Sequence, residues 1–359
     1  MNRKVKMFKE SGGNKMIKKI RPIANVGKQL LYAKIFRKNI PIRVGLQITK
    51  YCNLKCSYCY VNFNTYKNIN EITLEEIFIF IDKLYDYGTR WIWFLGGEPL
   101  SRDDFGEIID YVHSKGMFCD MNSNGLFVNE KSIKAIKKLD MVSFSLDGNK
   151  EITDYYRGRG VYDALLRNVE ILKKHNVNVR FHSILTKKTA ATLPDMVKLS
   201  NKLKAPFNYC EVLRKEREPE HILSDKESEN FYKSYYMYKK QGALIANSLA
   251  AIKYMLNWPK KGGDIIYKNE ASKYKNYMPC YYPELTCTLD LDGKLYSCHG
   301  SWDEGLNINE VGVEEAHKYL LDKKECISCK CIGIIELNLF LTLSMKNLLN
   351  TLVNTRRLV

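Results

Sequence analysis

The stretch Gln47-Ile-Thr-Lys-Tyr-Cys52-Asn-Leu-Lys-Cys56-Ser-Tyr-Cys59-Tyr60 grows out of a short apolar run, residues 44–48, and sets three cysteines in a C-x3-C-x2-C array. Thiolates hold iron–sulfur clusters, and such clusters normally take four of them. Three within eight residues, with no fourth nearby, point to a [4Fe-4S] cluster with one iron left open. An open iron can take a substrate or cofactor, as the open position of a catalytic zinc does. A closed zinc site is the plainer alternative, yet three sulfurs without a histidine make a poor tetrahedron.

With Tyr58 before its last cysteine, the array resembles the signature of the radical S-adenosylmethionine (SAM) enzymes. In that family the open iron chelates the amino and carboxylate groups of SAM. Reductive cleavage then gives methionine and a 5′-deoxyadenosyl radical. Further motifs follow in the order the resemblance implies. Gly96-Gly97-Glu98-Pro99 by itself is only a turn that ends a strand. In the family this segment contacts the ammonium group of the methionine moiety. Asn122-Ser123-Asn124-Gly125 resembles the family's Thr-Asn-Gly turn, with serine in place of threonine. Ser143-Phe-Ser145-Leu-Asp147-Gly148 resembles the Ser-x-Asp-Gly segment near the SAM ribose. Asp154-Tyr-Tyr-Arg157-Gly158 resembles an Asp-x-x-Arg motif whose arginine meets the SAM carboxylate, a partner that suits a guanidinium fork. A solvated Asp–Arg pair is the other reading of that segment. Leu185 either packs on adenine or belongs to the core.

Composition sets outer limits. The net charge is +17, and the first 45 residues contribute most of it through thirteen Lys/Arg against the single acid Glu10. Residues 1–41 therefore form a basic arm and helix, with Ile23, Val26, Leu30, Leu31 and Ile35 recurring at helical spacing. A solvated tail with a docking helix accounts for this. A contact with nucleic acid, acidic peptide or anionic membrane is the alternative, but the aromatic-interleaved basic patches of an RNA platform are missing. The eleven cysteines fall in clusters at ligand spacing, which argues for metal sites in a reducing compartment. No run of 18 apolar residues occurs, so no transmembrane segment is expected and the location expected is cytoplasmic.

From residue 42 the pattern alternates strand and helix. Strands are read at 44–48, 91–95, 117–121, 141–146, 177–185 and 207–213. Thr73 with Glu76 forms a capping box and Gly88 a stop; Asp103 is read as the cap of the next helix. Further helices are read at 130–138, 161–174 and 193–203. Repeated βα order implies a parallel sheet, with chemistry at the C-terminal ends of its strands. The expected fold is α/β: a partial (β/α)6 TIM-like barrel over residues 42–213. Residues 214–359 then supply linker helices and a twitch- or SPASM-like extension of a β-hairpin plus helices.

That extension carries Cys280, Cys287, Cys298, Cys326, Cys329 and Cys331. Asp292-Gly293 between two apolar runs is a hairpin signal. Cys280, then Gly293-x4-Cys298, then a distant C-x2-C, resembles the auxiliary-cluster extensions of the family, and one cluster of the twitch kind is expected. Cys280 and Cys298 bracket the hairpin, and Cys326 and Cys329 can turn both sulfurs to one metal. Cys331 is their one substitute, while Cys287 reads as a core side chain. The closing segment, residues 334–349, reads as an apolar helix that caps the barrel. The resemblance implies a reductant such as flavodoxin or ferredoxin, and hydrogen abstraction from a peptide or a small alcohol or sugar. The missing peptide-leader-binding module before the barrel weighs against a peptide. A radical SAM RNA-modifying or zinc-ribbon nucleic-acid-binding protein is the alternative, although nucleic acid is not the expected partner.

Overall fold

The computed structural model describes residues 12–59, 61, 70–212, 221–298 and 304–342, with side chains from residue 20 onward. Residues 1–11 of the basic arm, residues 214–220 of the linker and the closing helix beyond residue 342 lie outside the described residues.

Helix α1 (Gly12–Ile35) docks through Val26, Leu30 and Ala33, which pack with Ile42, Leu285 and Leu341. Ile23, Leu31 and Ile35, read in sequence as part of the same face, are exposed instead. Strand β1 (Arg43–Gln47) leads into the cysteine loop. In α2 (Leu74–Tyr87) the Thr73–Glu76 capping box forms, and Gly88 at φ 120° ends the helix in a conformation that favours glycine. Then come β2 (Trp91–Leu95), α3 (Phe105–Ser114), β3 (Phe118–Ser123), α4 (Glu130–Ile136) and β4 (Met141–Ser145). Asp103 does not cap α3. The helix opens one residue later, after Asp104, whose carboxylate is taken by Arg102 at 2.7 and 2.8 Å, and Asp103 pairs with Lys131 on the surface.

Helices α5 (Lys150–Arg157) and α6 (Val161–Lys174) precede β5 (Phe181–Leu185); α7 (Lys187–Ala191) and α8 (Leu193–Leu203) precede β6 (Phe207–Glu211). Strands β1 to β6 lie parallel and in sequence order. Alternation along each strand separates two faces. Val44, Leu46, Phe94, Met121, Phe144 and Phe207 join the main core against the helices. Arg43, Gln47, Trp93, Asn122, His182 and Cys210 fall on the opposite, inner face.

After β6 come α9 (Asp225–Lys240), opened by the Ser224–Glu227 box, and α10 (Leu249–Leu256). Strand β7 (Ile265–Tyr267), the hairpin of β8 (Thr286–Leu289) and β9 (Lys294–Tyr296), β10 (Leu306–Asn307), α11 (Gly312–Asp322), β11 (Cys326–Cys329) and α12 (Ile332–Leu341) follow. The hairpin turns at Gly293, φ 84°, as its Asp-Gly sequence predicts. What its sequence does not announce is that β8 also pairs in parallel with β1, from Arg43 opposite Thr286 to Leu46 opposite Leu289. The hairpin therefore continues the barrel sheet, which has nine strands in the order β10-β9-β8-β1-β2-β3-β4-β5-β6. Helix α12 packs on β6 and α10, and its Phe340 ring meets Trp91 of β2 edge-on at 6.0 Å.

Candidate functional site

The cysteine loop leaves β1 and is pinned by backbone contacts on both sides. Gly97 N–H donates to Thr49 O at 2.9 Å and Glu98 N–H to Tyr51 O at 2.7 Å, so the turn after β2 is laced to the loop after β1. On the far side Ser57 N–H donates to Tyr156 O at 3.1 Å, and Cys59 N–H closes a turn onto Cys56 O at 3.1 Å. The two glycines earn their place here. A Cβ on Gly96 would lie 2.6 Å from Thr49 O, and one on Gly97 would overlap the Tyr51 carbonyl and stand 2.8 Å from Cys52 N. The glycines thus bring the loop backbone close, which the sequence motif alone does not tell.

A side chain at Gly97 should therefore move the cysteines before it touches any ligand. We expect Gly97→Ala to lose most of the iron bound at the loop, measured by iron content after anaerobic reconstitution. Full iron occupancy with only a weaker SAM affinity would show that the glycine faces ligand rather than loop.

Glu98 is 1% exposed and ties two strand ends together. Its Oε1 accepts from Ser123 Oγ at 2.8 Å and Leu100 N at 3.1 Å, and its Oε2 accepts from Asn124 N at 2.7 Å. Burial pushes its carboxyl up to about 6, against the pull of the Asn124 and Leu100 N–H groups and the Ser123 hydroxyl. A carboxylate has about four acceptor positions, so about one is left. The Asn124 amide reaches back to Asn53 Oδ1 at 2.8 Å and lies 3.8 Å from Cys52 Sγ.

Asp147, fully buried, gathers a second group. Its Oδ2 accepts from Arg157 Nε at 2.6 Å and from the Tyr58 hydroxyl, and its Oδ1 accepts from Ile184 N at 3.0 Å. The Arg157 guanidinium stands 5.6 Å from the Tyr58 ring centre, and Tyr58 packs on Tyr156 at 5.2 Å. The Asp-x-x-Arg segment is therefore not a solvated pair of its own: Arg157 is 7% exposed and bound to Asp147, while Asp154 binds the N–H groups of Gly160 and Tyr162. Asp147 thus ties Arg157 of α5 and Tyr58 of the cysteine loop to the end of β5.

Ser145 sits level with His182 across β4 and β5, on the inner face. Leu185 does not reach that face. It pairs with Glu211 in register, is 3% exposed and belongs to the helix-side core. One residue that sequence reasoning passed over is Gln47, at the end of β1. It is 1% exposed, alternates onto the inner face, and neither its amide nitrogen nor its oxygen finds a partner among the described residues. An orphaned buried amide costs about 1–3 kcal/mol. Its position inside the first motif was the available signal.

Burial pushes the Cys52 thiol up to about 11 and the Cys59 thiol to about 12; Cys56 is raised by burial too, and Arg157 opposes the rise. Half-buried thiols raised in this way are poor anions alone, whereas bound iron holds thiolates ionised. This donor set, with the free amide of Gln47 and the spare acceptor of Glu98 on neighbouring strand ends, fits a cluster with one open iron and a polar ligand beside it.

The C-terminal cysteines gather separately. Cys280 and Cys331 form a buried cluster with Tyr282 and Ile334, against which Cys210, Cys298 and Cys329 pack. Cys280 N–H donates to Ile327 O of β11 at 2.8 Å, and Cys210 Sγ lies 3.4 Å from Cys331 Sγ. Cys326 and Cys329 pair with Tyr267 and Ile265 of β7, and an irregularity in β11 between Cys326 and Ser328 puts both cysteines on one face of the ribbon. Cys287 is 1% exposed in the main core and donates to Pro283 O. Cys210, unremarked in sequence, joins this group from the barrel.

Comparison with known proteins gives consistent likenesses. The sequence model of the radical SAM superfamily matches residues 46–199. The Fe-coproporphyrin III synthase of Methanosarcina barkeri is 33% identical over 174 residues, which is 48% of this chain and 44% of that protein. The antilisterial bacteriocin subtilosin biosynthesis protein AlbA of Bacillus subtilis is 26% identical over 55% of this chain and 45% of its own length. The chain thus spans about half the length of the curated relatives it matches. Among solved structures, Streptococcus suis SuiB bound to its precursor peptide SuiA superposes with a TM-score of 0.61 at 13% identity, over 88% of this chain and 72% of SuiB. That likeness speaks for the fold.

Proposed function

Residues 46–199 belong to the radical SAM superfamily, and from that premise we propose that the chain is an enzyme whose Cys52, Cys56 and Cys59 hold a [4Fe-4S] cluster beside bound SAM. When bound, the two together supply a 5′-deoxyadenosyl radical that abstracts hydrogen from substrate. The observation that carries this reading is the lacing of the three-cysteine loop to Gly97 and Glu98 at adjoining strand ends. Residues 42–213 do the radical chemistry in this reading, and residues 214–359 carry the auxiliary cysteines.

Each neighbouring residue has a task. Gly96 and Gly97 fix the loop, so the sulfurs keep one arrangement. Glu98 offers its remaining lone pair to the SAM ammonium while Ser123 and Asn124 hold the carboxylate in place. Gln47 and Ser145, on the inner face, offer polar contacts to SAM or substrate. Arg157, anchored by Asp147, turns its remaining N–H groups to the site, and Tyr58 lids the pair. The buried aromatic wall of Tyr58 and Tyr156 keeps water from a reactive intermediate. A second cluster on the separate group of cysteines around Cys280 and Cys331 belongs to the same proposal, as does delivery of electrons by a flavodoxin or ferredoxin in the cytoplasm. No described helix is long and apolar enough to cross a membrane.

The substrate we propose is a peptide, supported by the role in bacteriocin biosynthesis named for AlbA and by the precursor-peptide-bound state of SuiB. The Fe-coproporphyrin III synthase, the more identical of the two relatives, favours a tetrapyrrole as second reading. The deciding experiment is anaerobic: reconstituted, dithionite-reduced protein should convert SAM to 5′-deoxyadenosine. With peptide uniformly deuterated at carbon, the product should gain deuterium. No 5′-deoxyadenosine from fully iron-loaded protein overturns the enzyme assignment; deuterium transfer only from a labelled coproporphyrin substrate overturns the peptide.

A further inference from the structure

Cys210 stands apart from every motif, on the last strand of the barrel. Strand alternation puts it on the inner face, because Phe207 and Tyr209 join the helix-side core while Asn208 and Cys210 sit opposite His182 and Ile184. Its sulfur is 3.4 Å from that of Cys331, the residue before α12. Gly333 leaves room for this sulfur: a Cβ there would lie 3.0 Å away. Ile332 N–H donates to Glu211 Oε2 at 2.7 Å, so the first turn of α12 is bound to the end of β6 at two successive residues. Cys331 is packed with Cys280, and Cys280 N–H donates to Ile327 O at 2.8 Å, which holds Cys280 beside β11 and its Cys329. A touching thiol pair that joins the barrel to the C-terminal segment thus lies in one cluster with Cys280 and Cys329.

We propose that Cys210 and Cys331, with Cys280 and Cys329, are the four ligands of the auxiliary [4Fe-4S] cluster. The barrel itself then supplies a ligand, and the cluster joins β6 to the segment that carries α12. The assignment rests on the reading that a second cluster exists at all, and it departs from the pattern of C-terminal cysteines alone by drawing in Cys210. Four thiolates complete a cluster without an open iron. The position of Cys210 places the cluster at the inner face of β6.

The test is iron content with EPR on anaerobically reconstituted full-length protein, for wild type and for Cys210→Ala, Cys210→Ser and Cys287→Ala. Wild type should hold about eight irons in two four-iron units. Cys210→Ala should lose about half of them, and the remaining reduced signal should still shift when SAM is added, which reports an intact Cys52 site and a folded barrel. Cys210→Ser, keeping an oxygen ligand, should retain iron with an altered auxiliary EPR signal, a change that a packing role would not produce. Cys287→Ala should keep about eight irons. Eight irons and unaltered spectra in both Cys210 variants overturn the proposal. A wild type with only four irons defeats the second-cluster reading itself, and a wild type with four irons and one zinc does the same in favour of a zinc site.

Discussion

Replacing Cys52, Cys56 and Cys59 together by alanine should reduce SAM cleavage to background and remove about four irons, leaving about four at the auxiliary cysteines. The effect is large because, in the proposed enzyme, an electron would reach SAM through iron that these sulfurs alone would hold. Their geometry also leaves no substitute. The loop is fixed at Thr49 and Tyr51 by Gly97 and Glu98 and at Ser57 by Tyr156, so no other described cysteine is on it to replace a lost ligand. Iron analysis, the reduced EPR spectrum and 5′-deoxyadenosine by chromatography measure the outcome. Wild-type levels of 5′-deoxyadenosine from the triple variant would end the assignment.

The order of elements was legible because local chemistry dictates it. Thr73 and Glu76 write a helix start into four residues, and Trp91–Leu95 is apolar throughout because both faces of a parallel strand are covered. The helices read at 161–174 and 193–203 have those bounds in the structure. Errors fall where two local signals compete. Asp103 and Asp104 are adjacent and both suit a cap, and the decision belongs to Arg102, which binds the second and also the carbonyls of Ile48 and Ile72. Helix α5 was missed since Lys150–Arg157 contains the motif that drew a functional reading instead of a helical one.

Long-range pairing was beyond reach for a different reason. Nothing in Thr286–Leu289 distinguishes a free hairpin edge from one that pairs with β1, more than two hundred residues earlier. Within the site, the types of residue were legible and their partners were not. The Gly-Gly-Glu turn reads as a ligand contact, yet its glycines serve the loop and its carboxylate holds Ser123 and Asn124. Leu185 illustrates the period-two rule: a boundary misplaced by one residue would send it to the wrong face, and only register with Glu211 decides. Cys210 gave no signal, being a single cysteine whose neighbours Cys331 and Gly333 lie in another part of the chain.

Arg157 separates a structural role from a ligand role by magnitude. Replaced by leucine, it should destabilise the fold by about 3–5 kcal/mol, because the Asp147 carboxylate, with no exposure, would lose the only cation the structure places against it among the described residues. The Tyr58 hydroxyl and Ile184 N–H would remain, but neutral donors do not balance a buried charge. Arg157→Lys should recover part of the loss, since an ammonium carries the charge without the planar fork that meets Asp147 and reaches past it. The double variant Arg157→Leu, Asp147→Asn should be less destabilised than the sum of the two singles, the mark of a coupled pair. Urea unfolding of iron-loaded protein under argon gives the energies, and SAM titration gives the affinity of each variant. A loss of SAM affinity with stability within about 0.5 kcal/mol of wild type would mean that Arg157 serves ligand rather than fold. The geometry predicts the reverse order: stability falls first, and SAM affinity falls with it because Tyr58, in the cluster loop, is anchored through the same carboxylate.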